Sequence, residues 1–512
     1  MLWTCLFLPS LPLDVFTRAQ APGDAARPFA VATGGHYPRI VVANDAARVA
    51  GVRAGQLVSA ALALSPDLTL RDRDPVAEAA ALAAVATMAT QFTPAVSLAA
   101  PDAVLAEIGG SLRLFGGLPR LTASLAQQTR QLGFAARLAL APTPLAALLF
   151  ARADRAVTVT GAAGLARALA PLPLALLDAD PAVTATLAAA GVTTFGEACA
   201  LPRDGLARRA GAAFVALLDR ARGLVPDPRP PFVPPPRYIG KLELPAPVGN
   251  VEALAFAVNR LVHELAGWLL GRGLGVIELS LSLAHERYVG VKTGVAATTV
   301  RFALAAPARE AAHLNAVLRE RLARVALPAV VEAITLASEA TAPLAGRNLG
   351  LLPEDAVVAS VPLLDRLRAR LGEDAVTRVV LHDEHRPEHA WREQPMGSAS
   401  GTFSSRKPTQ PGVTRANATA EKAGGIPVLP DSPRPLWLLT EPEPLGHRLE
   451  HQPWVLQDGP ERIESGWWDG HDIRRDYFVA LTPQGESVWI YRDGRYGFGE
   501  GDGEWFLQGL FA

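Results

Sequence analysis

The stretch Ile40-Val41-Val42-Ala43-Asn44-Asp45-Ala46-Ala47-Arg48-Val49-Ala50-Gly51-Val52-Arg53-Ala54-Gly55 decides the reading of the fold. Four apolar residues, 40–43, predict a short strand; 44–48 read as helical; the two glycines of 51–55 form a turn. Upstream, residues 2–8 read as a buried strand bounded by Pro9. Downstream, an Ala/Leu helix is predicted over 76–91, strands over 95–99 and 103–108, and a turn at Gly109-Gly110. A helix over 117–132 and a strand over 136–140 follow. Strands alternating with helices predict an α/β domain ending near residue 165.

Residues 166–228 read as all-helical. Within them Leu187-Ala-Ala-Ala-Gly191-Val-Thr-Thr-Phe-Gly196-Glu-Ala is helix, glycine-centred turn, helix. That pattern has two readings: a helix-hairpin-helix whose turn amides hold a DNA phosphate without reading bases, or a helix pair packed on a neighbour. The run Pro226-Asp-Pro-Arg-Pro-Pro-Phe-Val-Pro-Pro-Pro236 reads as a stiff linker and a domain boundary. From 237 to about 345 α/β character resumes. A helix is expected over 250–271, strands over 275–283 and 298–304, and a helix over 308–324. Both strands alternate apolar and polar residues, as a sheet with one wet face requires. Residues 354–395 read as an α/β extension. Residues 396–434 are Gly/Ser/Pro/Thr-rich and are expected to be disordered. The last stretch, 435–512, holds six of the nine tryptophans, which predicts recovered order.

The 512 residues are enough for about three or four domains at roughly 100–200 residues each. The formal charge of −1 hides a division. Residues 1–345 carry 31 Lys+Arg against 25 Asp+Glu (+6), and residues 346–512 carry 18 against 25 (−7). A mildly basic body with an acidic tail points to different partners for the two ends. Two cysteines, Cys5 and Cys199, exclude a disulfide framework or thiolate cluster and fit a reducing, cytoplasmic setting. The N-terminal apolar run lacks a basic region and is broken by Pro9 and Pro12, so it does not read as a signal peptide. Other apolar stretches such as 138–151 contain prolines and fall short of the ~20 residues of a membrane span.

The segment 43–55 resembles the fingers motif of Y-family (UmuC/DinB-type) translesion DNA polymerases, and the segment around Asp102 resembles their palm carboxylate motif. The hairpin region and 237–345 resemble their thumb and little finger. The tail, with Gly459-Pro-Glu-Arg-Ile-Glu-Ser-Gly-Trp-Trp-Asp469, Arg475-Asp-Tyr-Phe478 and Trp505-Phe-Leu-Gln-Gly-Leu-Phe511, is similar to that of a polymerase-like protein from bacterial mutagenesis cassettes. The resemblance implies an α/β (α+β) chain: palm and fingers over 1–165, a helical thumb over 166–228, a linker over 229–236, and a little finger over 237–345. A small aromatic-rich C-terminal region ends it.

The departures from the family bear on function. Two-metal phosphoryl transfer needs carboxylates that hold two divalent ions about 3.5–4 Å apart. Active family members carry two acids at the end of the first strand, where this chain has Leu8-Pro9-Ser10-Leu11. Pro9 and Leu11 are therefore degenerate palm positions. The palm pair is Asp102-Ala103, one acid where the family has two. Asp14 falls near the family's aromatic sugar-selecting position. Residues 1–240 contain no lysine to clamp a triphosphate. The family's Asn-Lys segment appears as Ala141-Pro-Thr143-Pro144, and Asp45 stands at the fingers tyrosine. These features predict a palm without polymerase chemistry and with no cofactor or metal. An active polymerase using Asp102, Asp14 or Glu107 is the alternative. Arg48, Arg53 and Gly191 are the candidate DNA contacts.

Asn348-Leu349-Gly350-Leu351-Leu352 resembles the sliding-clamp pentapeptide, which drops two apolar anchors into a preformed pocket. An ordinary loop or helix start is the competing reading. His385-x-x-Glu388-His389 matches a zinc pattern, but Pro387 breaks the helix such a site needs, which leaves a solvated loop. Aromatic residues serve as docking anchors or as core. Trp505, Phe506, Leu510 and Phe511 are assigned to docking and the internal tryptophans to core. The resemblance implies a scaffold in DNA damage tolerance. Its partners would be damaged primer–template DNA, the replication sliding clamp, an error-prone DnaE-type polymerase and a RecA-like accessory protein, with no membrane.

Overall fold

The computed structural model describes residues 1–20, 27–154, 157–286, 295–344, 356–372, 374–382, 384–395, 433–446, 453–494 and 504–511. They divide into two compact units, Met1–Leu371 and Gly372–Ala512.

The first unit begins with β1 (Trp3–Phe7) and α1 (Leu11–Thr17). The segment expected to form the fingers follows: β2 (Phe29–Ala32), β3 (Ile40–Ala43), α2 (Asp45–Val49), α3 (Val58–Leu64) and β4 (Thr69–Asp72). Its three strands form a sheet in the order β3-β2-β4. The chain then returns through α4 (Pro75–Ala89), β5 (Val96–Ala99), β6 (Ala103–Glu107), α5 (Leu118–Gln131), β7 (Arg137–Ala141) and α6 (Pro144–Arg152). The sheet of the expected palm runs β5-β6-β1-β7, every pair antiparallel. Because alternate strand residues face opposite ways, β1 serves two cores. Leu6 packs with Val85 of α4 and Leu125 of α5, while Cys5 packs with Ala147 of α6.

That second face is shared with helices α7 (Ala162–Leu169), α8 (Pro181–Ala189), α9 (Phe195–Ala200) and α10 (Arg203–Arg222). Phe195, Phe214 and Leu218 join the Cys5 cluster, so the helical region is fastened to the palm by continuous apolar packing. The proline run is anchored at both ends. The Phe232 amide donates to Val96 O at 2.7 Å, and Trp268 Nε1 donates to Pro235 O at 2.9 Å.

The last layer of this unit comprises β8 (Ile239–Val248), α11 (Val251–Arg272), β9 (Leu274–His285), β10 (Ala297–Ala308), α12 (Ala311–Leu322) and β11 (Val331–Pro343). The sheet order is β10-β9-β11-β8, and both helices share one core with it. Strands β8 and β11 were not foreseen from sequence. α11 also reaches the palm. A Cβ at Gly267 would lie 3.3 Å from Met88 Cα, and one at Gly271 would strike the Thr90 hydroxyl, so these glycines let α11 approach α4 closely. Beside them Arg18 of α1 pairs with Glu264 of α11, both buried, and the Tyr238 hydroxyl donates to Leu261 O at 2.8 Å. Helix α13 (Ala356–Leu371) closes the unit, its buried Asp365 accepting from the Ala305 amide at 2.7 Å.

The second unit holds a hairpin of β12 (Thr377–Leu381) and β13 (Trp391–Pro395) with a 3-10 turn, Pro387–His389, between them. A five-stranded antiparallel sheet follows, β14 (Trp437–Pro444), β15 (Val455–Ser465), β16 (Ile473–Leu481), β17 (Ser487–Asp493) and β18 (Trp505–Leu510), in the order β14-β18-β17-β16-β15. Among the described residues no helix is long and apolar enough to cross a membrane.

Candidate functional site

The palm positions converge at one end of the sheet, where Phe7 faces Ala103. The Leu8 amide donates to Asp102 O at 2.8 Å, which ties the end of β1 to the turn before β6. Of the two places expected to carry acids, Leu11 is fully buried in the apolar core beside Leu8, and Pro9 is half-buried. The one remaining acid is engaged: Arg152 Nη2, at the end of α6, donates to Asp102 Oδ1 at 3.2 Å. Both Asp102 and Arg152 act on the buried Cys5 thiol, as does Arg229, although burial is what chiefly pushes that thiol up. Arg73 is held protonated mainly by its hydrogen bond to Glu78, with Asp102 adding a smaller pull. The palm acid thus sits among guanidinium groups.

The other two acids point elsewhere. Glu107 lies five residues along, roughly 16 Å at ~3.3 Å per residue. Its Oε1 accepts from the Leu2 amide at 2.9 Å and the Gly109 amide at 3.1 Å. Asp14 Oδ2 accepts from the Ala135 amide at 3.4 Å. Magnesium at a phosphoryl-transfer site is held through carboxylates together with substrate phosphates. One carboxylate already bound to an arginine does not fit a pair of such ions. Among the described residues no three His, Cys, Asp or Glu side chains converge as metal ligands.

In the fingers, Asn44 caps α2 by accepting from the Ala47 amide at 2.9 Å. The retained Arg48 pairs with Asp45, both exposed, so the acid at the family's tyrosine position neutralises the one cation beside it. Arg53 Nη1 donates to Val52 O at 3.0 Å and also to Arg48 O, turned onto its own loop. Thr143, in place of the Asn-Lys segment, caps α6 by accepting from the Ala146 amide at 3.3 Å.

The helical hairpin forms as α8, a turn with Gly191 at φ +79°, and α9. Its amides are all taken. Gly191 N donates to Ala188 O at 3.0 Å and Val192 N to Leu187 O at 2.9 Å. Thr193 N and Thr194 N donate to Glu197 Oε2 at 2.8 and 2.9 Å. The Glu197 carboxylate engages these two amides, and they hold its pKa below the usual carboxylate range.

The wet face expected for the little-finger sheet lies opposite its helices, and its cross-strand rows are what sequence reasoning missed. Register places Thr299, Ser282, Thr335 and Lys241 in one row across all four strands, and Arg301, Ser280, Ala337 and Ile239 in the next. Small hydroxyl side chains on a flat sheet can donate to phosphate oxygens without reading bases. The alternation in 275–283 and 298–304 signalled this face. The Lys241 strand follows a proline run directly, and its alternation Lys241-Leu242-Glu243-Leu244 is the signal that could have found it; the Thr335 strand is rich in Ala and Thr.

The aromatic assignments change. The end of the chain is not a free tail, because β18 lies inside the sheet between β14 and β17. Phe506 stacks on Tyr491 with centroids 5.2 Å apart, Trp505 packs on Phe478 at 5.3 Å, and Phe511 packs against the Tyr477 cluster. Of the four candidate anchors, only Leu510 is exposed. Trp489 is buried as expected, but Trp467 and Trp468, read as core, are 78% and 56% exposed, and Trp437 is exposed as well. In the His385–His389 stretch the motif residues His385, Glu388 and His389 are exposed, as a solvated loop requires, while Arg386 and Pro387 between them are buried. Arg386 is buried and binds Glu384 and Asp469, while Glu388 accepts from Arg475 at 3.0 Å and Gln508 at 3.1 Å. The clamp-like residues Asn348, Leu349, Gly350, Leu351 and Leu352 lie outside the described residues.

The model of the impB/mucB/samB family matches residues 16–152. Protein ImuB of Caulobacter vibrioides, in each of two strains, is 31% identical over 483 residues, spanning 90% of this chain and 100% of its own. The chain belongs to the ImuB family. With that membership comes its coarse role, DNA damage tolerance. Among solved structures, the crystal structure of DinB from Sulfolobus solfataricus is 13% identical with a TM-score of 0.38, covering 67% of this chain and 100% of that one. A Dbh ternary complex is 14% identical with a TM-score of 0.38, covering 66% and 98%.

Proposed function

We infer that this chain is a non-catalytic, polymerase-like scaffold for translesion synthesis and induced mutagenesis, acting in the cytoplasm at the replication fork. The observation that carries the reading is Asp102, the one acid left at the palm end of the sheet, bonded to Arg152 instead of facing a second carboxylate. In this reading the basic body, +6 over residues 1–345, holds damaged primer–template DNA through phosphates. The hydroxyl face around Ser282 and Thr335 supplies contacts, joined by Arg48, Arg53 and the Gly191 hairpin where phosphates displace their present partners, Asp45, the loop carbonyls and Glu197. Residues 348–352 tether the complex to the sliding clamp, and the C-terminal unit recruits an error-prone DnaE-type polymerase and a RecA-like accessory protein. Tethering raises a partner's effective concentration at the lesion, so such a scaffold works without chemistry of its own.

Primer extension tests the central point. Purified protein with Mg²⁺ and a primed template yields no template-directed product above background. Robust extension that disappears in Asp102→Ala would sink the reading in favour of an active polymerase with an atypical site. The tether is tested separately. Replacing Leu351 and Leu352 by alanine abolishes pull-down with purified clamp, and unchanged binding would remove it from that segment.

A further inference from the structure

The hairpin joining β2 to β3 runs through Thr33-Gly34-Gly35-His36-Tyr37-Pro38-Arg39, and Tyr37 at its tip is 82% exposed. A Cβ at Gly34 or Gly35 would meet no atom within 4 Å, and the φ of +103° at Gly35 lets the chain reverse there. The base of the tip is fixed. Thr33 N donates to Arg39 O at 2.8 Å, and Arg39 N donates back to Thr33 Oγ1 at 2.9 Å. The neighbouring turn braces the other side. Val58 N donates to Pro38 O at 2.9 Å, Gly55 N to Ile40 O at 2.8 Å, and Arg39 Nη1 to Gly55 O at 2.7 Å. Arg53 belongs to that turn and donates through Nη1 to Val52 O at 3.0 Å. Tyr37 is thus an exposed ring on a braced hairpin, with Arg39 two residues away and Arg53 on the bracing turn.

Charge identifies what the ring meets. Residues 29–58 carry three arginines, at 39, 48 and 53, against one acid, Asp45, and that acid is spent on Arg48. Arg39 and Arg53 donate to backbone carbonyls, which leaves both guanidinium charges without a carboxylate among the described residues. An aromatic face beside unbalanced cations suits single-stranded nucleic acid: the ring stacks on a base and the cations take the phosphates. A base inside a duplex is covered on both faces and costs a few kcal/mol to extrude, so a ring on a hairpin tip stacks on bases already unpaired. A primer–template carries such bases on its single-stranded side. We propose that Tyr37 is a base-stacking residue for the unpaired template strand, with Arg39 and Arg53 on its phosphates. This rests on the reading that the body holds primer–template DNA, and adds where the single strand is gripped. An acidic protein surface could meet the same charges, but it would leave the binding of single-stranded DNA indifferent to the ring.

The test measures binding of the full-length chain, by fluorescence anisotropy, to a primer–template with a single-stranded template overhang and to the blunt duplex of the same paired length. Tyr37→Ala is compared with Tyr37→Phe, and thermal transitions verify that each variant is folded. Wild type is expected to prefer the overhang by roughly five- to tenfold, the alanine variant to lose that preference and the phenylalanine variant to keep it. The fluorescent base 2-aminopurine, placed in the first unpaired template positions, is quenched by wild type and Tyr37→Phe but not by Tyr37→Ala. Arg39→Gln/Arg53→Gln lowers the slope of log affinity against log salt for the overhang by about 1.4, at ~0.7 per phosphate contact. Equal binding of both DNAs by wild type, or an alanine variant that keeps the preference and the quenching, overturns the stacking role and leaves the DNA-holding reading intact. A loss in Tyr37→Phe equal to that in Tyr37→Ala assigns the effect to the hydroxyl and overturns stacking as well. An unchanged salt slope removes the two arginines from the site. Failure of wild type to bind either DNA overturns this proposal and the DNA-holding reading together.

Discussion

Asp14 lies half-buried in α1, with Ala135 donating to it and Arg18 nearby. Burial outweighs both and pushes its pKa up to about 7. An unfolded aspartate ionises near ~3.9. Below that value the group is protonated in both states and costs nothing. As pH rises from ~4 to about 7 the unfolded chain loses its proton first, so stability falls across that window and then levels off. Asp14→Asn removes the penalty. It should flatten the stability–pH curve between ~4 and 7 and stabilise the body at neutral pH by roughly 1–2 kcal/mol, a figure discounted for partial exposure. Denaturant midpoints at pH 4.5 and 7.5 check it, and identical slopes for both proteins would show that Asp14 ionises freely. The same residue illustrates what sequence cannot supply. An acid near a degenerate palm reads as a possible metal ligand until its partner is seen to be a backbone amide.

At the scale of elements, the α8–α9 hairpin was legible because glycine spacing and flanking helices are local properties. The use of its amides was not, although Thr194 and Glu197 are only three residues apart. Together they make a capping box in which the carboxylate takes the amides a phosphate would need. Glu197→Gln should leave the helices intact while removing that negative charge. Binding to a primer–template duplex, read by fluorescence anisotropy, is then expected to tighten by about two- to fivefold, with a steeper dependence on salt. Unchanged affinity would place the hairpin away from the DNA. The little-finger sheet shows a similar division. Two of its strands were read from alternation, whereas β8 and β11 were not, and they are placed by pairing with β9 and with each other.

For the body as a whole, the little-finger layer is joined to the palm by more than the proline run. The buried Arg18–Glu264 pair, 246 residues apart in sequence, Tyr238 and the close approach of Gly267 to Met88 make one packed interface. Removing one partner of a buried ion pair strands the other charge and costs about 3–5 kcal/mol. Glu264→Ala should therefore raise hydrogen exchange in α11 and α4 together and lower the thermal transition of the body. Faster exchange in α11 alone, with α4 unchanged, would show that the interface does not couple them.

By itself the sequence determined part of the body's elements (β1, β3, β5 to β7, β9 and β10, with helices such as α4, α5 and α11), the position of the hairpin, and the loss of carboxylates from the first strand and the palm pair. These are matters of residue identity and of periodicities of two and about 3.6, which are readable within a dozen residues. Tertiary structure decided what each surviving side chain does. It set Arg152 on Asp102 from fifty residues away, carried Glu107 to the far end of its strand, and turned Arg386 and Glu388 into the C-terminal unit. It also placed the Trp505–Phe511 end within a sheet and left Trp467 and Trp468 outside it. A tryptophan or a carboxylate has the same chemistry in every fold. Whether it is core, partner or anchor depends on neighbours distant in the chain, and only the packed structure supplies them.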